Sequence, residues 1–148
     1  MTGRMFSFEV NRTSTADAET LFRLETDAER WPTWCRPLVL QAGWADRTDP
    51  PGDVGSIRRV GLWPVLMFEK TIEYEPNRRH VYTFAHNAPV NDYRAEVIFT
   101  PNHTGGTDLC WRGSFTERLP GTGPAARALL RTAVLFLAAR LVRAAEKS

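Results

Sequence analysis

"TADAETLFRLETDAERWPTW" runs from Thr15 to Trp34, and its punctuation decides the fold around it. Asp17 stands where a helix N-cap belongs, with Glu19 in the favourable first turn. Leu21, Phe22 and Leu24 give an apolar face, which predicts a helix over about residues 18–25. Asp27 is placed to cap a second short helix, which Pro32 must end or enter awkwardly. The segment runs on into "ERWPTWCRP", Glu29 to Pro37. Trp31, Trp34 and Cys35 are types that seek burial, while Pro32 and Pro37 exclude a helix interior. A short, stiff, aromatic segment of this kind closes a core or forms the rim of a pocket.

Strands lie on both sides of this segment. Upstream, Met5 to Arg12 alternates, with Phe6, Phe8 and Val10 on one side and Ser7, Glu9 and Asn11 on the other. Downstream, strands are expected over Leu38–Trp44, Ser56–Leu62, Met67–Tyr74, His80–His86, Tyr93–Thr100 and Thr107–Glu117. "DRTDPPGDVG" (Asp46–Gly55) reads as a loop, "EPN" (Glu75–Asn77) as a tight turn and "NHTGG" (Asn102–Gly106) as a hairpin turn. From Pro124 nothing breaks a helical pattern to about Glu146, a helix of roughly 35 Å. Strands in unbroken succession with helices at the ends argue for α+β: an antiparallel sheet with its helices on one face.

Composition narrows the function classes. The chain has 148 residues, 43% hydrophobic and 24% charged, with a net charge of +2. A mixed surface of this kind does not point to nucleic acid. There is no apolar run of transmembrane length and no signal-like start at Met1, so a cytoplasmic protein with free thiols at Cys35 and Cys110 is expected. The sequons at Asn11 and Asn102 then carry no weight. Cys35, Cys110, His80, His86 and His103 lack metal-ligand spacing. There is no G-x-S-x-G, and "GTGPAA" (Gly121–Ala126) lacks the strand context of a phosphate loop and reads as the start of a helix. No metal and no cofactor are expected.

The apolar faces carry more information. Tyr82, Phe84 and His86 share one face by period two, as do Tyr93, Ala95, Val97 and Phe99, and as do Leu109, Trp111 and Phe115. These faces suit plain core packing and the lining of a cavity equally well. His86 is the best polar candidate within the set, at a strand end, against the simpler reading of a solvent-exposed hairpin histidine. Tyr93 is a weaker candidate, and Arg94, Glu96 and Arg112 read as cross-paired on the outer face. On the last helix, Leu130, Val134, Leu137 and Leu141 form one stripe, while Leu129, Leu135, Phe136 and Val142 lie outside it. That surplus, dotted with Arg127, Arg131, Arg140 and Arg143, leaves a homodimer face and a transient membrane contact open beside simple snorkelling of arginine stems.

Four motifs carry a family resemblance over Phe6 to Ala145. Asp17, Asp27, Trp31, Pro32 and Trp34 fall on the helix-loop opening of the SRPBCC superfamily. "GDVGSIRRV", "YEPNRRHVYTF" and "GGTDLCWRGSF" resemble its strand entry, its Glu-Pro-x-x-Arg hairpin and its Gly-Gly-Thr strand. Cys35 departs from the pattern, where a polar residue is usual. The superfamily includes START domains, birch-pollen-allergen-like proteins and polyketide cyclases. The resemblance implies one helix-grip domain over residues 1–148: a curved antiparallel sheet of six or seven strands around the last helix, with an apolar cavity between them. The same resemblance sets the cavity mouth near the short helices, so that Trp34 is expected to plug the core and Trp31 to face the entrance. It implies binding, and by extension transport, of a small hydrophobic molecule such as a lipid, quinone, isoprenoid or polyketide-like compound. The expected lining is Trp31, Trp34, Cys35, Trp63, Phe68, Tyr82, Phe84, His86, Tyr93, Trp111, Phe115, Leu130 and Val134. The alternatives are a polyketide cyclase or dehydratase, with His86 or Tyr93 moving a proton, and a regulatory protein-interaction module.

Overall fold

In a computed structural model, which describes residues 3–36, 39, 41–49, 51–62, 65–86 and 88–147, alternation becomes strand and the caps become helix ends. Strand β1 (Met5–Ser14) leads into α1 (Ala18–Thr26), a 3-10 turn (Ala28–Arg30) and α2 (Trp31–Trp34). Six strands follow: β2 (Gln41–Asp46), β3 (Ile57–Leu62), β4 (Val65–Glu75), β5 (Arg79–His86), β6 (Asn91–Pro101) and β7 (Thr107–Thr116). Helix α3 (Gly123–Glu146) ends the chain's regular structure.

The strands make one antiparallel sheet of seven in the order β1-β7-β6-β5-β4-β3-β2. The sheet is thus a meander from β2 to β7 with β1 closing onto β7, and it grips α3, as the sequence leads one to expect. Asp17 accepts the Thr20 N–H at 2.8 Å and caps α1, and Asp27 accepts the Glu29 N–H at 3.2 Å and caps the 3-10 turn. Pro32 sits in the first turn of α2, where its missing N–H costs nothing. β1 runs two residues past the expected Arg12. There Ser14 pairs with Thr107 and its hydroxyl meets Glu146, the last residue of α3, at 3.1 Å. Residues 38 and 40 of the expected strand Leu38–Trp44 lie outside the described residues, as do Pro37 and Trp63.

The core lies between the sheet's concave face and the helices. Phe6, Phe8 and Val10 of β1 meet Leu109, Trp111 and Phe115 of β7, and Val134, Leu137 and Leu141 of α3 are buried with them. Glycine admits the closest approach: a Cβ at Gly123 would lie 1.9 Å from Cε2 of Phe6, so α3 starts directly on that ring. Leu135 and Val142 pack against the core from the side, which absorbs part of the apolar surplus of α3; Leu129 stays 73% exposed. The outer face is polar. Glu96 pairs with Arg79 and with Arg112 (2.6 Å), and Glu73 pairs with Arg79 (2.5 Å) and Arg94 (2.7 Å). Arg94, Glu96 and Arg112 are therefore cross-strand partners, as expected. Among the described residues no helix is long and apolar enough to cross a membrane.

Candidate functional site

The concave face is covered from two sides. α3 lies mainly over β1, and the 3-10 turn and α2 lie over β2 and β3. Between these covers, Phe84 of β5 is only half-buried. The half-buried Phe68 of β4 stands opposite Arg59 and alternates with the inward Glu69, which puts it on the other face of the sheet, and His86 at the end of β5 is exposed. Their rings pair in two stacks: Phe68 on His86 at 4.2 Å and Phe84 on the buried Tyr93 of β6 at 4.2 Å. The Phe84–Tyr93 stack is the aromatic strip of the concave face, half-open to solvent at Phe84.

A charged network adjoins the strip. Glu69, directly opposite Phe84 in the β4–β5 ladder, accepts from Nε of Arg58 at 2.7 Å. Arg58, 2% exposed, sends Nη1 to the Glu25 carbonyl at 2.7 Å and to the Glu25 carboxylate at 3.0 Å. That carboxylate also meets Nδ1 of His80 at 2.9 Å, while Nε2 of His80 faces the Thr71 hydroxyl at 3.0 Å. Ser56 donates to Thr71 at 3.4 Å. The guanidinium is sandwiched between Trp31 and Tyr82, 4.4 and 4.6 Å from the two ring centroids. Helix α1 and strands β3, β4 and β5 thus each contribute to one buried cluster.

The electrostatics of the cluster follow from its pairing. Burial would push the Glu25 carboxyl up, but His80 and Arg58 outweigh it and hold the group below its ordinary value. Burial likewise works against the Arg58 charge, and Glu69 and Glu25 reverse that effect, so the guanidinium stays protonated. Burial raises both Tyr82 and Tyr93, which keep their phenolic protons at neutral pH. The Tyr82 hydroxyl accepts from Nε1 of Trp111 at 3.2 Å. Nη2 of Arg58 has no partner among the described residues. It is a buried donor whose hydrogen-bonding capacity is unspent.

The expected lining residues fall into distinct places. Phe84 and Tyr93 form the strip, with Tyr82 and Trp111 buried beside it, while Phe68 and the exposed His86 stack on each other apart from it, so these two are not brought to the core face. Trp31 does not face an entrance: it is 1% exposed, donates Nε1 to the Glu25 carbonyl at 2.8 Å and closes over Arg58. A flat ring with one donor is what a buried guanidinium and a spare carbonyl require, and that decides its position. Trp34, 5% exposed, packs on Trp31 at 5.1 Å. Cys35 is fully buried, bonded to the Trp31 carbonyl, and burial pushes its thiol up to about 12. Phe115 stands apart, stacked on Phe6. Val134 is buried and Leu130 half-buried on α3. Trp63 lies outside the described residues. Grooves bounded by described residues open on the outer face, at the sheet ends and beside α2.

Glu25, Arg58, Glu69, Thr71 and His80 were not expected from the sequence. One signal for them existed: His80 shares the parity of Tyr82, Phe84 and His86, so the inward set extends one step further back along β5.

The chain matches the model of the family described as "Polyketide cyclase / dehydrase and lipid transport" over residues 5–146. Its fold is similar to that of a START superfamily protein from Mycobacterium smegmatis, with 19% identity, a TM-score of 0.77, and 98% and 99% of the two chains covered. Ara h 8.0201 superposes with a TM-score of 0.76 at 13% identity, covering 98% of this chain and 100% of the other. A protein from Mesorhizobium loti gives 0.74 at 19% identity, over 97% and 98%. No curated protein matches. At such identities the solved structures speak for the fold alone, whereas the family match spans nearly the whole chain. A seven-stranded sheet gripping its last helix, with that match along it, places the chain in the polyketide cyclase/dehydrase and lipid transport family of the SRPBCC superfamily.

Proposed function

We propose that the protein binds a small hydrophobic molecule carrying an oxygen acceptor, and that it seats this molecule against the strip of Phe84 and Tyr93. The observation that carries the reading is the meeting of two unlike surfaces: a half-open aromatic stack, Phe84 on Tyr93, beside a buried, pre-paired Arg58 with a donor to spare. Apolar burial supplies most of the affinity and the guanidinium orients the polar end. A quinone, isoprenoid, fatty-acyl lipid or polyketide-like ring has that build, and binding of this kind also serves carriage between sites. The free thiols at Cys35 and Cys110 suit a reducing cytoplasm.

Native mass spectrometry of freshly purified protein, together with a melting-temperature panel of lipids and quinones, tests the proposal. The expected result is a retained apolar mass or a stabilising ligand whose affinity falls about tenfold in Phe84→Ala, the loss expected for one partly buried aromatic ring. A protein that carries nothing, and whose melting temperature no member of the panel moves, refutes it.

A second reading has a specific observation in its favour. The Glu25–His80 pair has the form of an oriented base, so a cyclase or dehydratase step would draw on His80 in preference to the exposed His86. Equal turnover of a poly-keto substrate by wild type and His80→Gln removes that reading.

A further inference from the structure

We propose a second binding site, separate from the aromatic strip, in the cleft between α2 and the last turns of α3, and assign it to an anionic group of the phosphate class. The cleft has a volume of about 250 Å³ and is lined by Thr33, Trp34, Arg140, Arg143, Ala144 and Lys147. Three of these side chains are cationic and none is acidic. Arg143 and Lys147 are exposed and Arg140 is half-buried.

Two donors of these lining residues are buried and lack partners among the described residues: Nε1 of Trp34 and Nε of Arg140. Trp34 is 5% exposed, so its indole N–H has been taken from water without return. Arg140 is fixed from two other directions. Its Nη2 donates to the Arg36 carbonyl at 2.5 Å, and its guanidinium lies over the Phe136 ring at 5.4 Å. The Thr33 hydroxyl donates to the Arg30 carbonyl at 2.5 Å, so its proton is spent. The charge at the site therefore comes from Arg140, Arg143 and Lys147, and two unspent N–H groups belong to its wall residues Trp34 and Arg140.

The nearest acid along α3 does not neutralise the cluster. The carboxylate of Glu146 is occupied by the Ser14 hydroxyl at 3.1 Å and the Thr15 N–H at 3.0 Å, at the end of β1. The C-terminal carbonyls of α3 oppose an anion, but only with partial charges, against three whole positive ones. A phosphate dianion brings compact charge and several acceptor oxygens, which match three cations and two fixed N–H groups better than a single carboxylate does. The group is borne either by a soluble phosphate compound or by a phospholipid headgroup; the recognition chemistry is the same.

The test uses the whole chain and two probes. Inorganic phosphate is titrated at constant ionic strength while the indole Nε1–H resonance of Trp34, assigned with Trp34→Phe, is followed by NMR. Sedimentation with phosphatidylcholine vesicles, with and without phosphatidic acid, is measured in parallel. Arg143→Glu with Lys147→Glu reverses two exposed charges and leaves the packed residues untouched; its melting temperature confirms the fold. A saturable shift of the Trp34 resonance, weakened about tenfold or more in the double variant, supports the site and a soluble source. Sedimentation that requires phosphatidic acid and is lost in the double variant supports the site and a headgroup source. The proposal is overturned if neither response occurs, or if the charge reversal leaves the response intact.

Discussion

Glu25→Gln tests the logic of the buried network most directly. The carboxylate is fully buried and serves two partners, Nη1 of Arg58 at 3.0 Å and Nδ1 of His80 at 2.9 Å. The amide keeps the shape but loses the charge, and it can present only one oxygen where both neighbours offer donors. Arg58 retains Glu69 at 2.7 Å and the Glu25 carbonyl, so the guanidinium is not fully orphaned. Breaking a buried pair from one side costs about 3–5 kcal/mol, and these surviving contacts put the expected loss near about 3 kcal/mol. Set against a typical stability of about 5–15 kcal/mol, this is easily measured in urea by circular dichroism at pH 7 with an unchanged m-value. The pH dependence has a fixed sign. The folded-state value of Glu25 lies below its unfolded value, so its contribution is present above about pH 4.3 and is lost as pH falls through the lowered value. The gap between wild type and variant should therefore close on acidification. A loss under about 1 kcal/mol at pH 7, or a gap that widens towards acid, would refute the reasoning.

Other perturbations probe separate parts. Trp31→Phe removes the N–H given to the Glu25 carbonyl and should cost about 1–2 kcal/mol in chemical denaturation, since that carbonyl keeps Arg58; a neutral result would show that the indole is there for packing alone. Gly123→Ala drives a methyl into Phe6 and should lower stability by about 1–3 kcal/mol, with a matching fall in melting temperature. In native protein, Cys35 should resist maleimide labelling and react only on unfolding, while half-buried Cys110 reacts first; peptide mapping by mass spectrometry separates the two.

The fold was legible because each of its parts has a local cause. Asp17 and Asp27 cap where they stand, Pro124 opens α3, and the alternation of Phe6, Phe8 and Val10 survives as the buried side of β1. The site was legible only in its apolar half. Phe84, Tyr93 and Trp111 can be placed inside by period two, but Glu25 reads as a solvent residue at the end of a helix, and Arg58 as one of two neighbouring arginines. What brings them inside is a contact across 33 positions, and for Glu25 and His80 across 55. No window of local pattern reaches that far. Trp31 shows the same limit: its burial is decided by the cation beneath it, which the local sequence does not reveal.

The sandwiching of Arg58 has a consequence for how the strands find their alignment. β3 reads Ile-Arg-Arg-Val-Gly-Leu, a poor alternation, and a slip of one residue would exchange Arg58 for Arg59 and Val60 for Gly61. Hydrophobic pattern alone therefore sets its alignment only loosely. A guanidinium gripped by α1 on one side and β4 on the other admits a single position. Buried ion pairs add little net stability compared with apolar residues of the same size; here the pair's return is uniqueness. Replacing Glu25 and Arg58 together by apolar residues should keep the melting temperature close to that of wild type, while splitting the amide resonances of β2 and β3 into more than one set.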